Sequence, residues 1–345
     1  MSPWLDAGPQ RLNSEPSGFD REMNEALPTR VLRASIRRSR KLANLVLHHV
    51  ECRVARRRGG LLRYPPVFLI GAPRCGSTLL YQVMVEHFDL GYLSNFHCLF
   101  YGAPSLAERL FRPARWRMPS GFQSQHGKVS GRSAPSECGE FWYRFFRRRP
   151  QFVPLDEAGE KSMRHLRAAV RALVDAAGKP VLFKNLPCAL RLGPIIHALP
   201  ESLFIVVQRD WLETAHSVLE ARKKLFGNYE EWFSVEPPEV EALKKRPIHE
   251  QAVEQIRSVH ALIDEARDKV DSRQFIDIDY GELCKDTYTA LERLAGFFEA
   301  NGLDVARGGE VPRSFRVKGD VRIDEDLYRK TKDYLAANPQ SRGGP

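Results

Sequence analysis

The chain has 345 residues, of which 43% are hydrophobic and 28% are charged, so it can bury a sizeable core and is neither a disordered chain nor a coiled coil. Its net charge is +10, and the segment from Arg30 to Arg63, with eleven bases and the single acid Glu51, accounts for that whole excess. Because the rest of the chain is balanced, the charge argues against a basic nucleic-acid-binding body, and we expect no nucleic-acid partner.

Hydropathy and cysteine spacing exclude further classes. No apolar run approaches the roughly 20 residues of a transmembrane helix, and residues 1–19 lack the apolar core of a secretory signal. The six cysteines are scattered without the close pairs that zinc sites or disulfide frameworks use. We therefore expect a cytoplasmic protein with reduced thiols and no bound metal.

The N-terminal part divides into two segments. Residues 1–28 are polar and contain several prolines, which predicts a loose lead-in. Over residues 29–60 apolar residues recur at helical spacing until a glycine pair ends the pattern, which predicts a basic amphipathic helix. This helix could contact a membrane surface, a second copy of the chain, or the protein's own core. The last interpretation, with the basic face in solvent, is favoured.

Residues 64–340 read as a single α/β domain. Short apolar segments at 67–70, 90–93, 180–183, 203–207 and 275–278 alternate with helical patterns, which predicts a parallel sheet of about five strands flanked by helices. The predicted helices after the first loop include 160–177, 188–199, 211–225, 249–271, 282–286, 287–301 and 324–336. Residues 101–160 are rich in aromatic residues and have no clear strand, which predicts an inserted acceptor-binding region.

Ligands of such sheets bind at the carboxyl ends of the strands. There, the loop from Gly71 to Thr78 has the glycine spacing of a phosphate-cradling loop, because Gly76 follows Gly71 by five residues. Backbone N–H groups and the helix N-terminus can surround an anion at this point, and hydroxyls add donors. ATP- and GTP-binding loops carry a lysine after the second glycine; here that position is Ser77, and a cation stands earlier, at Arg74.

Residues 68–80 resemble the 5′-phosphosulfate loop of sulfotransferases that use 3′-phosphoadenosine 5′-phosphosulfate (PAPS), whose usual form is G-x-P-R-S-G-T-T-L. Cys75 and Ser77 stand where the family has serine and threonine. The resemblance implies a P-loop-like sulfotransferase fold and a loop that binds the 5′-phosphosulfate through five residues: Arg74, Cys75, Gly76, Ser77 and Thr78.

Residues 204–217 resemble the family's 3′-phosphate element, a strand followed by R-D-P and by a serine eight residues after the arginine. Trp211 replaces the usual proline, which removes no ligand group. The resemblance implies that Arg209 and Ser217 hold the 3′-phosphate.

Two further stretches resemble parts of the nucleotide site. Residues 279–283 are similar to a family stretch whose tyrosine, here Tyr280, borders the adenine. The basic loop 313–319 stands where the family closes over the 3′-phosphate. The donors that the resemblance implies there are Arg316, Lys318 and the N–H of Gly319.

The resemblance implies sulfuryl transfer from PAPS to a hydroxyl or amine of an acceptor whose class the sequence leaves open. A cation must neutralise the charge that the leaving group gains, and Lys184, in F-K-N-L-P, matches the family's lysine before a proline. A general base must take the acceptor's proton. Glu137 and His97 are nearly level candidates for it, and Glu140 and His126 are the others.

Pro135 and Ser136 predict a helix start that would place Glu137 and Glu140 on one side of its first turn.

Two alternatives to a sulfotransferase stay open. One is a P-loop nucleotide kinase or phosphatase, against which the absent loop lysine counts strongly. The other is a non-enzymatic membrane-surface or nucleic-acid-binding module that uses the basic segment 30–63.

Overall fold

The computed structural model describes residues 27–57, 61–112, 121–123, 127–317 and 322–339, with side chains at 35, 38–51 and 53 in the first of these ranges. A five-stranded sheet in the order β2-β3-β1-β4-β5, with every pair parallel, lies at its centre. This confirms the predicted fold class. The strands are β1 (Val67–Gly71), β2 (Gly91–Tyr92), β3 (Val181–Lys184), β4 (Leu203–Gln208) and β5 (Phe275–Asp279).

Helices cover both faces of the sheet, as a parallel sheet requires. In chain order they are α1 (Leu27–Arg57), α2 (Ser77–His87), α3 (Pro104–Phe111), α4 (Gly139–Trp142), α5 (Glu160–Ala177), α6 (Leu192–Ala198), α7 (Trp211–Phe226), α8 (Val240–Leu243), α9 (Ile248–Arg267), α10 (Tyr280–Lys285), α11 (Thr287–Ala300) and α12 (Glu325–Ala337). Short 3₁₀ turns lie at His97–Phe100, Leu155–Glu157, Leu186–Leu190 and Ser272–Gln274.

One face of the sheet carries a continuous row of phenylalanine rings. Phe68 of β1 stacks on Phe183 of β3 at 5.4 Å and on Phe204 of β4 at 5.5 Å, and Phe204 stacks on Phe275 of β5 at 4.7 Å. The parallel register places these residues side by side. Aromatic pairs at such distances add stability beyond their buried area, so the strands that end at the candidate site rest on a rigid layer.

Two predicted elements differ from the structure. The helix predicted over 188–199 is a 3₁₀ turn followed by α6, because Pro194 stands in the first turn of a helix that begins only at Leu192. The helix predicted to start at Pro135 begins instead at Gly139, after Cys138 adopts a left-handed backbone with φ 42°. The inserted region 101–160 holds α3 and α4, and its residues 113–120 and 124–126, including His126, lie outside the described part.

Helix α1 (Leu27–Arg57) contacts α5, and its described basic side chains are exposed, as the favoured interpretation expects, but its apolar residues do not form the packing face. Among its described side chains the polar Asn44 and Glu51 are buried, whereas the apolar Val46 and Val50 are exposed. The interpretation that its apolar side packs on the core is therefore wrong for these residues.

Among the described helices, none combines the length and the apolar content that crossing a bilayer requires.

Candidate active site

The loop after β1 forms the floor of the site. Strand β1 ends at Gly71, and α2 begins at Ser77 with Gly76 as its N-cap residue. Gly76 has φ 96° and Arg74 has φ 66°, so two residues of this short loop are in the left-handed region. The tight turn brings the chain directly from a buried strand into the positive end of a helix, where the first N–H groups lack helical partners.

The ring of Tyr280, the first residue of α10, lies against this loop. A Cβ atom added to Gly76 would lie 2.1 Å from Cδ2 of Tyr280, which is far inside contact distance. Burial raises the pKa of Tyr280 to about 12, so its hydroxyl stays protonated at neutral pH. The sequence placed Gly76 and Tyr280 in separate motifs, and the structure brings them into contact.

We predict that Gly76→Ala lowers the free energy of unfolding by about 2–4 kcal/mol, because the added methyl group combines backbone strain with a clash against Tyr280. Gly227→Ala is the matched control, since Gly227 has φ 77° and open space around its Cα. That control should cost only the backbone term, about 1 kcal/mol. Chemical denaturation measures both, and equal losses in the two variants would contradict the contact with Tyr280.

Cys75 does not face the anion position. Its thiol is buried, lies close to Gly71 and is hydrogen-bonded with Ser77, and burial raises the pKa of the thiol. The Cys75 N–H donates to the Ala72 carbonyl at 3.3 Å. The Cys75 side chain is therefore turned away from the anion position. The buried side chain of Ser77 also points inward, which leaves its N–H as the group available at the helix end.

Three residues from the two anion motifs meet in space. Arg74 Nε donates to Ser217 Oγ at 3.0 Å, and Arg209 Nη1 donates to the Arg74 carbonyl at 3.2 Å. The Arg209 guanidinium also lies over the Tyr280 ring, 4.8 Å from its centroid. Residues separated by more than 130 positions in the chain thus form one cluster at the carboxyl ends of β1, β4 and β5, as the strand topology predicts.

Arg74 is suited to an anion. Burial lowers the pKa of its guanidinium from the ordinary value, and this effect exceeds the opposing influence of the Glu220 carboxylate. A desolvated cation of this kind gains strongly from an anionic partner.

Arg209, by contrast, has a carboxylate partner that sequence reasoning missed. Its Nε lies 3.1 Å from Oε2 of Glu213, one turn further along α7. Glu213 is itself fixed by the helix start, since its N–H donates to Asp210 Oδ1. The spacing of four residues between Arg209 and Glu213 was the signal that could have found this pair.

Lys184 lies at the other side of the loop. It is the last residue of β3, in register with Leu69 of β1, and its side chain is only 2% exposed. Its Nζ donates to Thr78 Oγ1 at 3.2 Å and contacts the carboxylate of Glu137. Glu137 is 33% exposed. A buried cation, a loop hydroxyl and a carboxylate that an incoming molecule can reach therefore lie together.

The segment before α4 fixes the position of Glu137. Ser136 N–H donates to the Leu93 carbonyl at 2.8 Å, and Asn185 Nδ2 donates to the Glu137 carbonyl at 3.4 Å. Glu140 does not share this environment, because it forms an exposed ion pair with Arg148 at 2.5 Å. The expectation that Glu137 and Glu140 face one side of a helical turn is wrong, since the helix begins after Glu137.

His97 is fully buried. Its Nε2 lies 3.2 Å from Oε2 of Glu108, and its Nδ1 lies 3.1 Å from the Ser94 N–H and 2.9 Å from the Ser94 hydroxyl. Both ring nitrogens thus contact neighbours within the inserted region and the turn before it. This placement keeps His97 out of the open part of the site, whereas the Glu137 carboxylate is partly exposed.

The last predicted donors lie on the segment after α11. Phe315 N–H donates to the Cys284 carbonyl, which ties this segment to α10, and Arg316 is exposed beside it. Lys318 and Gly319 lie outside the described residues. Within the described ranges no three His, Cys, Asp or Glu side chains are grouped so as to hold a metal ion.

Known proteins are similar to this chain over most of its length. The curated relatives include omega-hydroxy-beta-dihydromenaquinone-9 sulfotransferase Stf3 of Mycobacterium bovis and the protein of the same name from Mycobacterium tuberculosis. Each is 23% identical in an alignment of 250 positions that covers 67% of this chain. The chain spans 61% of the length of those relatives.

Solved structures with a similar arrangement include sulfotransferase STF9 from Mycobacterium avium, at 15% identity and a TM-score of 0.48 over 81% of this chain and 69% of that one. A sulfotransferase from Alicyclobacillus acidocaldarius has 15% identity and a TM-score of 0.41 over 80% of this chain and 93% of that one. The family model described as "Sulfotransferase family" matches residues 65–304, which is more than half of the chain. The chain belongs to the sulfotransferase family.

Proposed function

We propose that this chain transfers a sulfuryl group from PAPS to a hydroxylated acceptor. The observation that carries the proposal is the cluster at the end of β3, where buried Lys184 contacts both the Thr78 hydroxyl and the Glu137 carboxylate beside the phosphate loop. Sulfuryl transfer resembles phosphoryl transfer, in which catalysis consists mainly of positioning and charge stabilisation. A buried cation next to an anion loop and a reachable carboxylate supplies both.

The residues present fit a donor with two separated anionic groups. Arg74 and the start of α2 would hold the 5′-phosphosulfate, and Arg209 with Ser217 would hold the 3′-phosphate. Two observations support this fit: Arg74 is a desolvated cation, and Arg209 lies between the Arg74 carbonyl and the Tyr280 ring. The donor supplies an activated sulfuryl group on a phosphate leaving group.

Lys184 neutralises charge in this proposal. Its ammonium lies beside Thr78, at the position where α2 and the loop meet, and its side chain is withdrawn from water. A fixed cation in a desolvated site stabilises developing negative charge more strongly than one in water. Lys184 would therefore act on the oxygen that gains charge as the sulfuryl group leaves.

Glu137 accepts the proton of the acceptor hydroxyl. Its carboxylate is the exposed member of the Lys184 cluster, so an acceptor can reach it from solvent. Its backbone is held by Asn185, and the preceding Ser136 N–H bonds to the Leu93 carbonyl just after β2, which keeps the carboxylate at the loop. The two roles are therefore divided between a buried cation and a reachable base.

The acceptor class rests on the relatives. Those sulfotransferases are named for an omega-hydroxy acceptor, which is consistent with a hydroxyl group as the point of transfer. The aromatic residues Phe141, Trp142, Phe145 and Phe146 are buried in the core and contact other rings, so they support the inserted region rather than offering an open surface to an acceptor.

A thermal-shift comparison tests the donor. Adenosine 3′,5′-bisphosphate, which carries both phosphates, should raise the melting temperature, because a ligand of the native state stabilises it by mass action. ATP with magnesium should not. Incubation with PAPS and a panel of hydroxylated compounds then measures transfer through release of the bisphosphate. A shift with ATP alone would contradict the proposal and favour a nucleotide kinase.

We predict that Arg74→Ala and Arg209→Ala each weaken binding of the bisphosphate by about 1.5–3 kcal/mol, the range for hydrogen bonds to charged groups. Titration calorimetry measures the affinities. Arg273→Ala is the matched control. Arg273 pairs with Asp271 at the surface just before β5, at the amino ends of the strands and away from the candidate site. Wild-type affinity in the Arg74 or Arg209 variant would remove that residue from the site.

A further inference from the structure

Helix α1 is attached to the protein through polar side chains. Asn44 is buried, donates to the Leu99 carbonyl at 2.9 Å and accepts the Gly102 N–H at 2.7 Å. Glu51 is also buried and accepts the Ser105 N–H at 3.0 Å. The face that most surface helices turn outward is thus the inward face of α1.

The opposite face of α1 is apolar and exposed. Leu42 is 61% exposed, Leu45 44%, Val46 64% and Val50 44%. Their spacing of three, four and eight residues from Leu42 places them in one stripe along the helix. Isolated exposed apolar residues are ordinary, whereas a contiguous stripe of this kind marks a surface that contacts an apolar partner.

Positive charge borders this stripe at both ends. Arg38 precedes Leu42 by one turn and Arg53 follows Val50 by three residues, and both side chains are exposed. Glu51, the single acid between Arg30 and Arg63, points inward and pairs with Arg144 at 2.9 Å. Among the described side chains of α1, the outward face therefore carries basic and no acidic groups.

We infer that this face of α1 binds an anionic lipid surface. The apolar stripe would enter the boundary between headgroups and acyl chains, while Arg38 and Arg53 extend to the anionic headgroups. A second copy of the same face is a poorer occupant, because antiparallel pairing opposes Arg38 to Arg53 and parallel pairing opposes each to itself. The inference rests on α1 alone and is independent of the proposed chemistry.

Flotation of the full chain with vesicles tests this surface. We expect binding to vesicles of phosphatidylcholine mixed with phosphatidylglycerol and much weaker binding to phosphatidylcholine alone. Raising the salt from about 0.05 M to about 0.5 M should weaken the binding, because it screens the attraction between arginines and headgroups. Failure to bind the anionic vesicles, or equal binding to both compositions, would overturn the inference.

Two double variants separate the apolar and the charged contributions. Leu42→Ser with Val46→Ser should lower the partition coefficient at least about tenfold. Arg38→Glu with Arg53→Glu should lower it about 20-fold or more, at roughly fivefold for each charge lost. The matched controls are Leu155→Ser, which alters a leucine that is 47% exposed elsewhere, and Lys245→Glu with Lys332→Glu, which changes the net charge equally at exposed positions outside α1.

Circular dichroism and thermal melting without ligand establish that each variant is folded. Retention of wild-type vesicle binding by either α1 variant would overturn the inference. Light scattering of the wild-type chain without vesicles distinguishes the other occupant: a dimer that Leu42→Ser with Val46→Ser converts to a monomer would assign this face to a second copy and would also overturn it.

Discussion

Replacing Lys184 by alanine should lower the turnover of sulfuryl transfer by about 10²–10³-fold, the usual effect of removing one group that stabilises transition-state charge. The expected loss is large because the Lys184 ammonium is buried and contacts both Thr78 and Glu137. Affinity for the bisphosphate should change far less, since that ligand lacks the sulfuryl group. Bisphosphate release in the presence of an acceptor and calorimetry measure the two quantities.

Lys179→Ala is the matched control for Lys184. Lys179 precedes the opposite end of the same strand, where it pairs with Asp89, and its removal should leave turnover unchanged. Lys184→Arg should restore part of the activity, because the charge is kept while the geometry at Thr78 changes. Turnover within a few-fold of wild type in Lys184→Ala would contradict the role of Lys184 in charge stabilisation.

Glu137→Gln should lower turnover by about 10²–10⁴-fold, the range for general acid–base catalysis. Glutamine has the size of glutamate and can still contact Lys184 through its carbonyl, but it cannot take the acceptor's proton. Bisphosphate affinity should stay close to wild type, whereas the melting temperature should fall, because the buried Lys184 ammonium loses its carboxylate partner. Steady-state turnover with a saturating donor measures the effect.

Glu140→Gln is the control for this variant, because Glu140 lies three residues away in an exposed pair with Arg148. It should retain wild-type turnover. Comparable losses in both variants would point to a general effect on the inserted region, and normal turnover in Glu137→Gln would remove Glu137 as the base.

The two anion elements could be predicted from the sequence for a physical reason. Arg74 lies in a loop after β1 and Arg209 in a loop after β4, and in a parallel sheet the loops that follow the strands all lie at the carboxyl ends. The alternation of apolar segments and helical patterns was enough to predict the strands, and therefore the position of these loops. The contact of Arg74 with Ser217 follows from that topology.

The direction of individual side chains could not be predicted in the same way. Cys75 points inward because the backbone at Arg74 is in the left-handed region. The spacing of residues in a motif gives no information on that φ angle. Glu137 reaches Lys184 because Cys138 delays the helix start. His97 contacts Glu108 because a 3₁₀ turn carries the first residue and the short helix α3 carries the second. The apolar periodicity of the sequence predicted neither element.

Helix α1 shows a different limit. Apolar periodicity predicts that a helix has an apolar stripe, but it does not predict which side of the helix packs against the rest of the protein. Here the inserted region offers α1 backbone groups that need polar partners, namely the Leu99 carbonyl and the N–H groups of Gly102 and Ser105. Since unsatisfied backbone groups are costly to bury, those partners decided the orientation.

The Arg144 contact has a consequence for the smallest independently stable form of this chain. Arg144 follows α4 in the inserted region, yet its guanidinium is held by Glu51 and by His48 at 3.1 Å, both on α1. Trimming the chain to the residues that the family model matches, 65–304, would remove both partners of Arg144 together with the helix that covers it. It would also remove Asn44 and Glu51, whose buried side chains bond to the Leu99 carbonyl and to the N–H groups of Gly102 and Ser105. The boundary of homology and the boundary of the folding unit are therefore different, and the folding unit extends upstream at least to Asn44.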